Sequence, residues 1–358
     1  MRVNRTKLAL LADLHLSMTD MAGGRDSKGI SIRLLHKLAI IKSVLHSVER
    51  QGIYVLVILG DIFESPDTSD LLKRLFYQSL SDYSGQLILL LGNHDYSSDN
   101  YYNFSSDKAL IAKYGLEDRF LVVSKPVTID GIDFVPWMPE AQLLDYFTTK
   151  NTNSEVLLGH FGVTGAKVSE HDSRHVGEVS TRYLAQYKHI YLGHYHLAQK
   201  YYVGSLFRNH HGEANYDCGY VTLNLPDGAS ERISVLDSNF YTILLDADKE
   251  QTLGSAIMQY KTKNDISDLK GSIVKIRIVG HRESIPLVDK QELKKVLSSL
   301  GVLSVSFDYE YLRDESNSTI LSHEFVGKTT MRDQFMLFCK AKKVDQTLTD
   351  KALVFLDE

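Results

Sequence analysis

The chain has 358 residues, more than one typical domain, and its 43% hydrophobic and 24% charged residues with only 6 prolines exclude a disordered or repetitive protein. A formal net charge of -5 argues against gripping a nucleic-acid duplex by a broad basic face alone, yet a metal site or a partner subunit can supply local positive charge, so nucleic acid stays open as a substrate. Apolar runs reach only strand length, short of the about 20 residues of a membrane span. The N-terminus is polar, and Cys218 and Cys339 lack C-x-x-C spacing. The expectation is no membrane association, a cytoplasmic setting and reduced thiols.

In chain order, residues 7–12 (KLALLA) read as a buried strand, followed by a polar, Gly-containing loop and a helical pattern from about Ser31 to Arg50. YVLVILG at 54–60, a helical stretch near 69–80 and QLILLLG at 86–92 continue the alternation of a layered α/β domain. Apolar runs at VLLG (156–159) and HIYLG (189–193), with strand-like segments around 199–203 and 218–225, exceed what one doubly wound sheet requires. The expected fold is α/β, a two-sheet β-sandwich flanked by helices over residues 1–238. FYTILLDAD from Phe240, SIVKIRIV at 272–279, the helical DKQELKKVLSSLG and the strand-like VLSVSFDYEYL predict a small α+β cap domain over 239–313. Residues 314–358 read as a linker and a C-terminal helical tail, in which Met331, Phe335 and Phe338 fall at i, i+4 and i+7. That stripe fits a helix capping its own domain as well as one docking a partner.

Five apolar strands end in ligand-type residues: ADLH (12–15), LGD (59–61), LGNHD (91–95), LGH (158–160) and LGHYH (192–196). Carboxyl ends of strands in α/β layers are where sites form. Four of the five place Leu-Gly before the polar residue, which fits a tight exit where a backbone must approach closely. Imidazoles, carboxylates and an amide oxygen suit manganese, iron or zinc. Asp13 and His15, from one strand end, can hold one ion with His196; Asp61 can bridge; Asn93, His160 and His194 then complete a second. Two divalent cations so held would clamp a phosphate and activate a water. His94, left without a metal, is the expected general acid that protonates the leaving oxygen, with Asp95 as its orienter.

Other residues carry less. His36, His46 and His189 read as structural; His171 and His175 as rim or solvated loop; Arg208, His210 and His211 as phosphate contacts or surface residues. Tyr101 and Tyr102 could stack on bases or pack their own loop, and Trp137 reads as a core anchor.

Asp-x-His, Gly-Asp, Gly-Asn-His-Asp, Gly-His and Gly-His-x-His, in this order over roughly residues 8–200, resemble the five motifs of the calcineurin-like phosphoesterase superfamily. GDIFES, the VPWMPE segment at 135–140, GHYH and VGSLFRNHHGE are similar to the nuclease subunits of SbcCD-type double-strand-break repair complexes, and to their phage recombination-endonuclease relatives. The resemblance implies a manganese-dependent exonuclease and single-strand endonuclease, with magnesium, iron or zinc as other possible ions. It implies a DNA substrate, a coiled-coil ABC-type ATPase that binds near the tail, a homodimer within that complex and, if phage-encoded, the host cytoplasm. Many cellular members carry a His where this chain has Glu64, which leaves Glu64 an orienter or a surface acid. The alternative reading is a phosphatase or small-molecule phosphodiesterase on the same metal site; against it, GDIFES lacks the Arg that protein phosphatases carry after the bridging Asp.

Deletion from Thr329 onward is expected to abolish association with the cognate ATPase, read by co-purification. Undiminished binding would exclude the tail as the docking element.

Overall fold

The computed structural model describes residues 7–312 except 21, 97–106, 151, 170–176, 226, 250–251 and 265. Tyr101, Tyr102, His171, His175, Cys339 and the whole stretch from 314 to 358 therefore lie outside the described residues.

Strands β1 (Lys7–Leu11), β2 (Val55–Leu59) and β3 (Gln86–Leu90) run parallel, with helices α1 (Ile32–Arg50) and α2 (Asp70–Leu80) as the crossovers between them. After helix α3 (Lys108–Lys113), β4 (Phe120–Val123) adds in parallel to β3. The hairpin-forming β9 (Gly219–Asn224) and β10 (Ser230–Ser234) extend the other edge antiparallel, giving the order β10-β9-β1-β2-β3-β4. A second sheet has the order β5-β6-β7-β8, from β5 (Val127–Ile129), β6 (Ile132–Val135), β7 (Val156–His160) and β8 (His189–Gly193). Helix α4 (Glu140–Thr149) links β6 to β7.

The two-residue periodicity of the strands decides the layering. Ala9, Leu11, Leu56, Ile58, Leu87 and Leu89 pack in one core with Leu34, Ile41 and Val48 of α1 and Phe76 and Leu80 of α2. Their strand neighbours Leu8, Leu10, Val57, Leu59, Ile88 and Leu90 join Phe134, Val156 and Leu158 in a second core between the sheets. Val135, Leu157 and Leu192 turn to the far side, against Leu143 and Phe147 of α4. The near-continuous apolar runs of the parallel strands are thus explained by burial on both faces. The expected sandwich of two sheets flanked by helices is the observed one.

Two local readings are revised. Residues 199–203 form no strand: Gln199 and Tyr202 exchange backbone hydrogen bonds of 3.2 and 2.9 Å in a tight turn. Tyr202 and Val203 are apolar there because both are buried as anchors of that turn. The hairpin joining β5 to β6 was not expected, although its Asp130-Gly131 pair carried the signal; φ of 53° and 78° gives the turn that matches strand twist.

A third sheet, order β11-β12-β13, is formed by β11 (Phe240–Asp246), β12 (Ile273–Gly280) and β13 (Ser304–Tyr311), with helices α5 (Leu253–Asn264) and α6 (Lys290–Ser299) in the same stretch. β12 alternates buried and half-buried residues along most of its length, as a strand with one covered face does. By packing, the chain divides into two compact units. One comprises Met1–Thr242, Asp268–Lys275 and Lys294–Ser306; the other comprises Ile243–Ser267, Ile276–Leu293 and the chain from Phe307. Among the described residues no helix is long and apolar enough to cross a membrane.

Leu158→Ala, at a fully buried position between the sheets, is expected to cost about 2–5 kcal/mol in urea unfolding. Leu236→Ala, at a residue 96% exposed, should stay within about 0.5 kcal/mol of the parent.

Candidate metal centre

The five ligand-bearing segments leave neighbouring strands at their carboxyl ends, and the backbone there is bent sharply. Asp13, His15, Asp61 and His194 have φ of 53°, 43°, 50° and 97°, four of the five non-glycine left-handed residues among those described. Each such conformation costs on the order of 1–3 kcal/mol and persists where surrounding bonds over-determine it. Here the Asp13 amide donates to the Gly60 carbonyl at 3.2 Å, the His15 amide to the Asp61 carbonyl at 3.0 Å, and the Leu16 amide to the Ile62 carbonyl at 3.0 Å. The Leu-Gly exits also have a steric cause: a Cβ on Gly60 would overlap the His160 ring, and one on Gly193 the Leu59 carbonyl.

These exits bring eight of the nine residues singled out from the motifs, all but Asp95, into one cluster, with Asp13, His15, Asp61 and His160 buried and Asn93, His94, His194 and His196 half-buried. Asp13, His15 and His196 each offer a ligand atom within 4.8 Å of the others, as do Asp13, Asp61 and His160. Asp61 Oδ2 lies 3.5 Å from His15 Nε2 and Oδ1 3.4 Å from His160 Nε2, so the carboxylate faces both halves of the cluster. Asn93 Oδ1 lies 3.0 Å from His160 Nε2 and 2.9 Å from His194 Nδ1. His15 Nε2 and His196 Nε2 face each other at 3.0 Å. Asp13 accepts the His194 amide on Oδ1 at 2.9 Å, while its Oδ2 is buried without a partner. An orphaned carboxylate oxygen beside converging imidazole nitrogens fits divalent cations of the borderline type, for which nitrogen and oxygen donors suffice.

The outward nitrogens of three rings are pinned. His160 Nδ1 lies 2.7 Å from the Leu59 carbonyl, His196 Nδ1 2.6 Å from Glu213 Oε1 and His15 Nδ1 3.0 Å from Glu64 Oε2. A partner on Nδ1 fixes the ring and leaves Nε2 for a metal.

Burial and neighbouring charge pull the titrating groups apart. Burial pushes Asp13 up despite His160 and His196. Burial also acts to raise Asp61, but His160, and then His15 and His94, hold it well below the usual carboxylate range. His160 is raised to about 9 because Asp61 and Asp13 outweigh its burial. His194 is pushed down to about 3 by burial and by the His160 charge.

The expected pairing of His94 with Asp95 is corrected. Asp95 is buried and its carboxylate accepts backbone N–H groups from Gly92 at 2.9 Å, Ile62 at 3.2 Å and Phe63 at 3.3 Å. Burial, with Asp61 nearby, raises it to about 7. Asn93–Asp95 is a 3-10 turn, in which consecutive side chains diverge by about 120°, so neighbours in sequence cannot meet in space. The partner of His94 Nδ1 is the Glu64 carbonyl at 2.9 Å. Glu64 thus contacts two rings, His15 through its carboxylate and His94 through its backbone, and its carboxylate lies with the ligand atoms of His15 and His94 within 4.8 Å of one another.

Arg208 is also reassigned, since its guanidinium donates to the Ala214 and Tyr216 carbonyls at 3.1 and 2.8 Å. His210 has both ring nitrogens engaged, Nδ1 by the Gly212 amide at 3.1 Å and Nε2 by Glu213 at 3.0 Å. Trp137 is only half-buried, with its ring 4.9 Å from that of Tyr96. Glu213 and Lys37 were missed by sequence reasoning. Glu213 is buried yet held ionised by His196 and His210; its only signal was its place in RNHHGE. Lys37, on a helix otherwise read for its apolar stripe, is buried beside His15 and lowered to about 8 by burial and by Arg33.

Glu213→Gln is expected to weaken manganese binding about 10–100-fold, measured by calorimetry. In the parent, binding should release protons, because His160 is protonated up to about pH 9 without metal and must lose a proton to ligate. Affinity therefore rises with pH between about 6 and 9, and the binding heat varies with buffer ionisation enthalpy.

The sequence model of the family described as Calcineurin-like phosphoesterase matches residues 6–198. Exonuclease subunit 1 of Enterobacteria phage T4 is 25% identical over 282 residues, 74% of this chain and 76% of that protein. Among solved structures, one chain is covered over 98% of its length and this chain over 64%, with a TM-score of 0.42 at 11% identity. A dimetal phosphatase from Danio rerio has a TM-score of 0.24 at 18% identity, over 37% of this chain and 43% of that one. With more than half of its length matched, and the matched part carrying the acid and imidazole cluster, the chain belongs to the calcineurin-like phosphoesterases and is a metallophosphoesterase.

Proposed function

We propose that the protein is the nuclease subunit of a recombination and double-strand-break repair complex, hydrolysing DNA phosphodiester bonds as an exonuclease and single-strand endonuclease together with a coiled-coil ATPase. The observation that carries the reading is the clustering of the eight residues, six of which, His15, Asp61, Asn93, His94, His194 and His196, line one cleft of about 770 Å³. The likeness to a phage protein named as an exonuclease subunit supports it, because that match runs over 282 residues and so extends beyond the 6–198 span of the family.

In this reading Asp13, His15 and His196 would hold one ion and Asn93, His160 and His194 a second, with Asp61 available to both. Divalent cations bound there, manganese by preference, would supply Lewis acidity for phosphodiester hydrolysis. The protein's own part is to hold these groups rigidly and to move one proton. The Glu64 carbonyl can only accept, so His94 Nδ1 carries its hydrogen there. A second proton, on Nε2, is then the one delivered to the leaving oxygen. Residues 239–313 serve as the α+β cap that meets the DNA substrate, 314–358 as linker and partner-binding tail, and the complex contains two copies of this chain in the cytoplasm, that of the host cell if the protein is phage-encoded.

Purified protein with manganese is expected to cleave single- and double-stranded oligonucleotides in preference to a monoester dye. His94→Gln should lower kcat by about 10²–10⁴-fold with manganese affinity unchanged. Hydrolysis of the monoester alone, or no DNA cleavage with or without the ATPase, rejects the nuclease reading.

A further inference from the structure

We propose that Lys37 and Asn209 form a donor pair that binds a phosphate group of the substrate beside the metal centre; the inference deepens the phosphodiester reading and rests on it for the identity of the substrate. Lys37 projects from α1 and is only 3% exposed. Its ammonium donates to the His15 carbonyl at 3.2 Å and to Asn209 Oδ1 at 2.8 Å. An ammonium has three N–H groups, and the nearest carboxylate, Asp20 Oδ2 at 3.9 Å, is beyond hydrogen-bond reach. Among the described residues one N–H of Lys37 makes no hydrogen bond, its other neighbour being the Phe207 ring, whose centroid lies 5.6 Å from Nζ.

Asn209 has the complementary surplus. Its oxygen is taken by the lysine, so the amide nitrogen must be the free end, and Asn209 Nδ2 is buried without a partner. An unsatisfied buried N–H group costs free energy that native structures seldom leave uncompensated. Both residues line the cleft that holds His15, Asp61, His94 and His196. Two adjacent donors with nothing to accept from them suit an acceptor-only anion with several oxygens, which a phosphodiester is, and repel a cation. Asp20 and Glu64 line the same cleft, so the pair provides a localised contact within mixed charge and not a basic patch.

The pair is also tied to the metal ligands. Glu213 accepts the Asn209 backbone amide on Oε2 at 2.6 Å and holds His196 Nδ1 on Oε1, while Lys37 grips the carbonyl of His15. A phosphate held by Lys37 and Asn209 would therefore be held in register with the ions. Burying a lysine on a helix that packs with leucines and isoleucines is costly for stability alone; a phosphate contact gives that charge a use.

The test compares the full-length parent with Lys37→Met and Asn209→Ala, all loaded with manganese. Titration with inorganic phosphate followed by calorimetry is expected to show affinity reduced about tenfold in Lys37→Met and by a smaller factor in Asn209→Ala. Manganese affinity should be unchanged in both. On an oligonucleotide, KM should rise by a similar factor with kcat much less affected. Parental phosphate affinity in both folded variants overturns the proposal. So does a matching loss of manganese affinity, which would make Lys37 a prop for His15. If Lys37→Met does not fold, Asn209→Ala decides alone. Should the parent bind phosphate through these residues yet cut no DNA, the nuclease reading fails and the anion site stands.

Discussion

Asp61 is the group on which the arrangement of the centre depends. It leaves β2 in a left-handed conformation, accepts the His94 amide at 2.9 Å on Oδ1, and faces His160 and His15 with its two oxygens. One buried carboxylate thereby fixes the exits of β2 and β3 and meets histidines delivered by β1 and β7. Desolvation alone would neutralise it; the surrounding imidazoles keep it ionised. That balance is what a cluster able to hold divalent cations requires, since its ligands must be available as anions and lone pairs.

Around Asp61 a ring of second partners sets the direction of each imidazole. The Leu59 carbonyl, Glu64 and Glu213 take the Nδ1 atoms of His160, His15 and His196. Glu64 shows how economical the arrangement is: a residue whose side chain is 53% exposed contacts one ring by its carboxylate and another by its carbonyl. An exposed acid would ordinarily be a neutral surface residue. Its position three residues after Asp61 puts it between two rings instead.

The core pays for the strain at these exits. Four left-handed non-glycine residues and a set of glycines too crowded for any side chain lie at the ends of the strands, and β1 and β2, which lead to three of the four, are buried on both faces. For Asp13, His15 and Asp61, which follow β1 and β2, the two cores flanking the first sheet give the strands no freedom to relax, and the strained turns inherit that rigidity. Asp95 contributes from within, collecting three amides of the β2 and β3 exits on one buried carboxylate.

By itself the sequence determined the parallel strands, their helical crossovers and the residues that gather at the centre. Runs such as VLVIL and QLILL can be satisfied only by burial on both sides, and a ligand residue placed directly after such a run must emerge at the sheet's carboxyl edge. Tertiary structure alone decided the partners. Asp95 stands next to His94 in sequence, but a three-residue turn points them apart; Glu64, thirty residues earlier, supplies the bond. Glu213 reaches the site from a 3-10 turn marked only by its place in RNHHGE, and Lys37 from a helix whose pattern is an apolar stripe. Periodicity reports which face of an element is buried. Which atoms meet across elements depends on how the two sheets and their helices pack, and no local pattern carries that information.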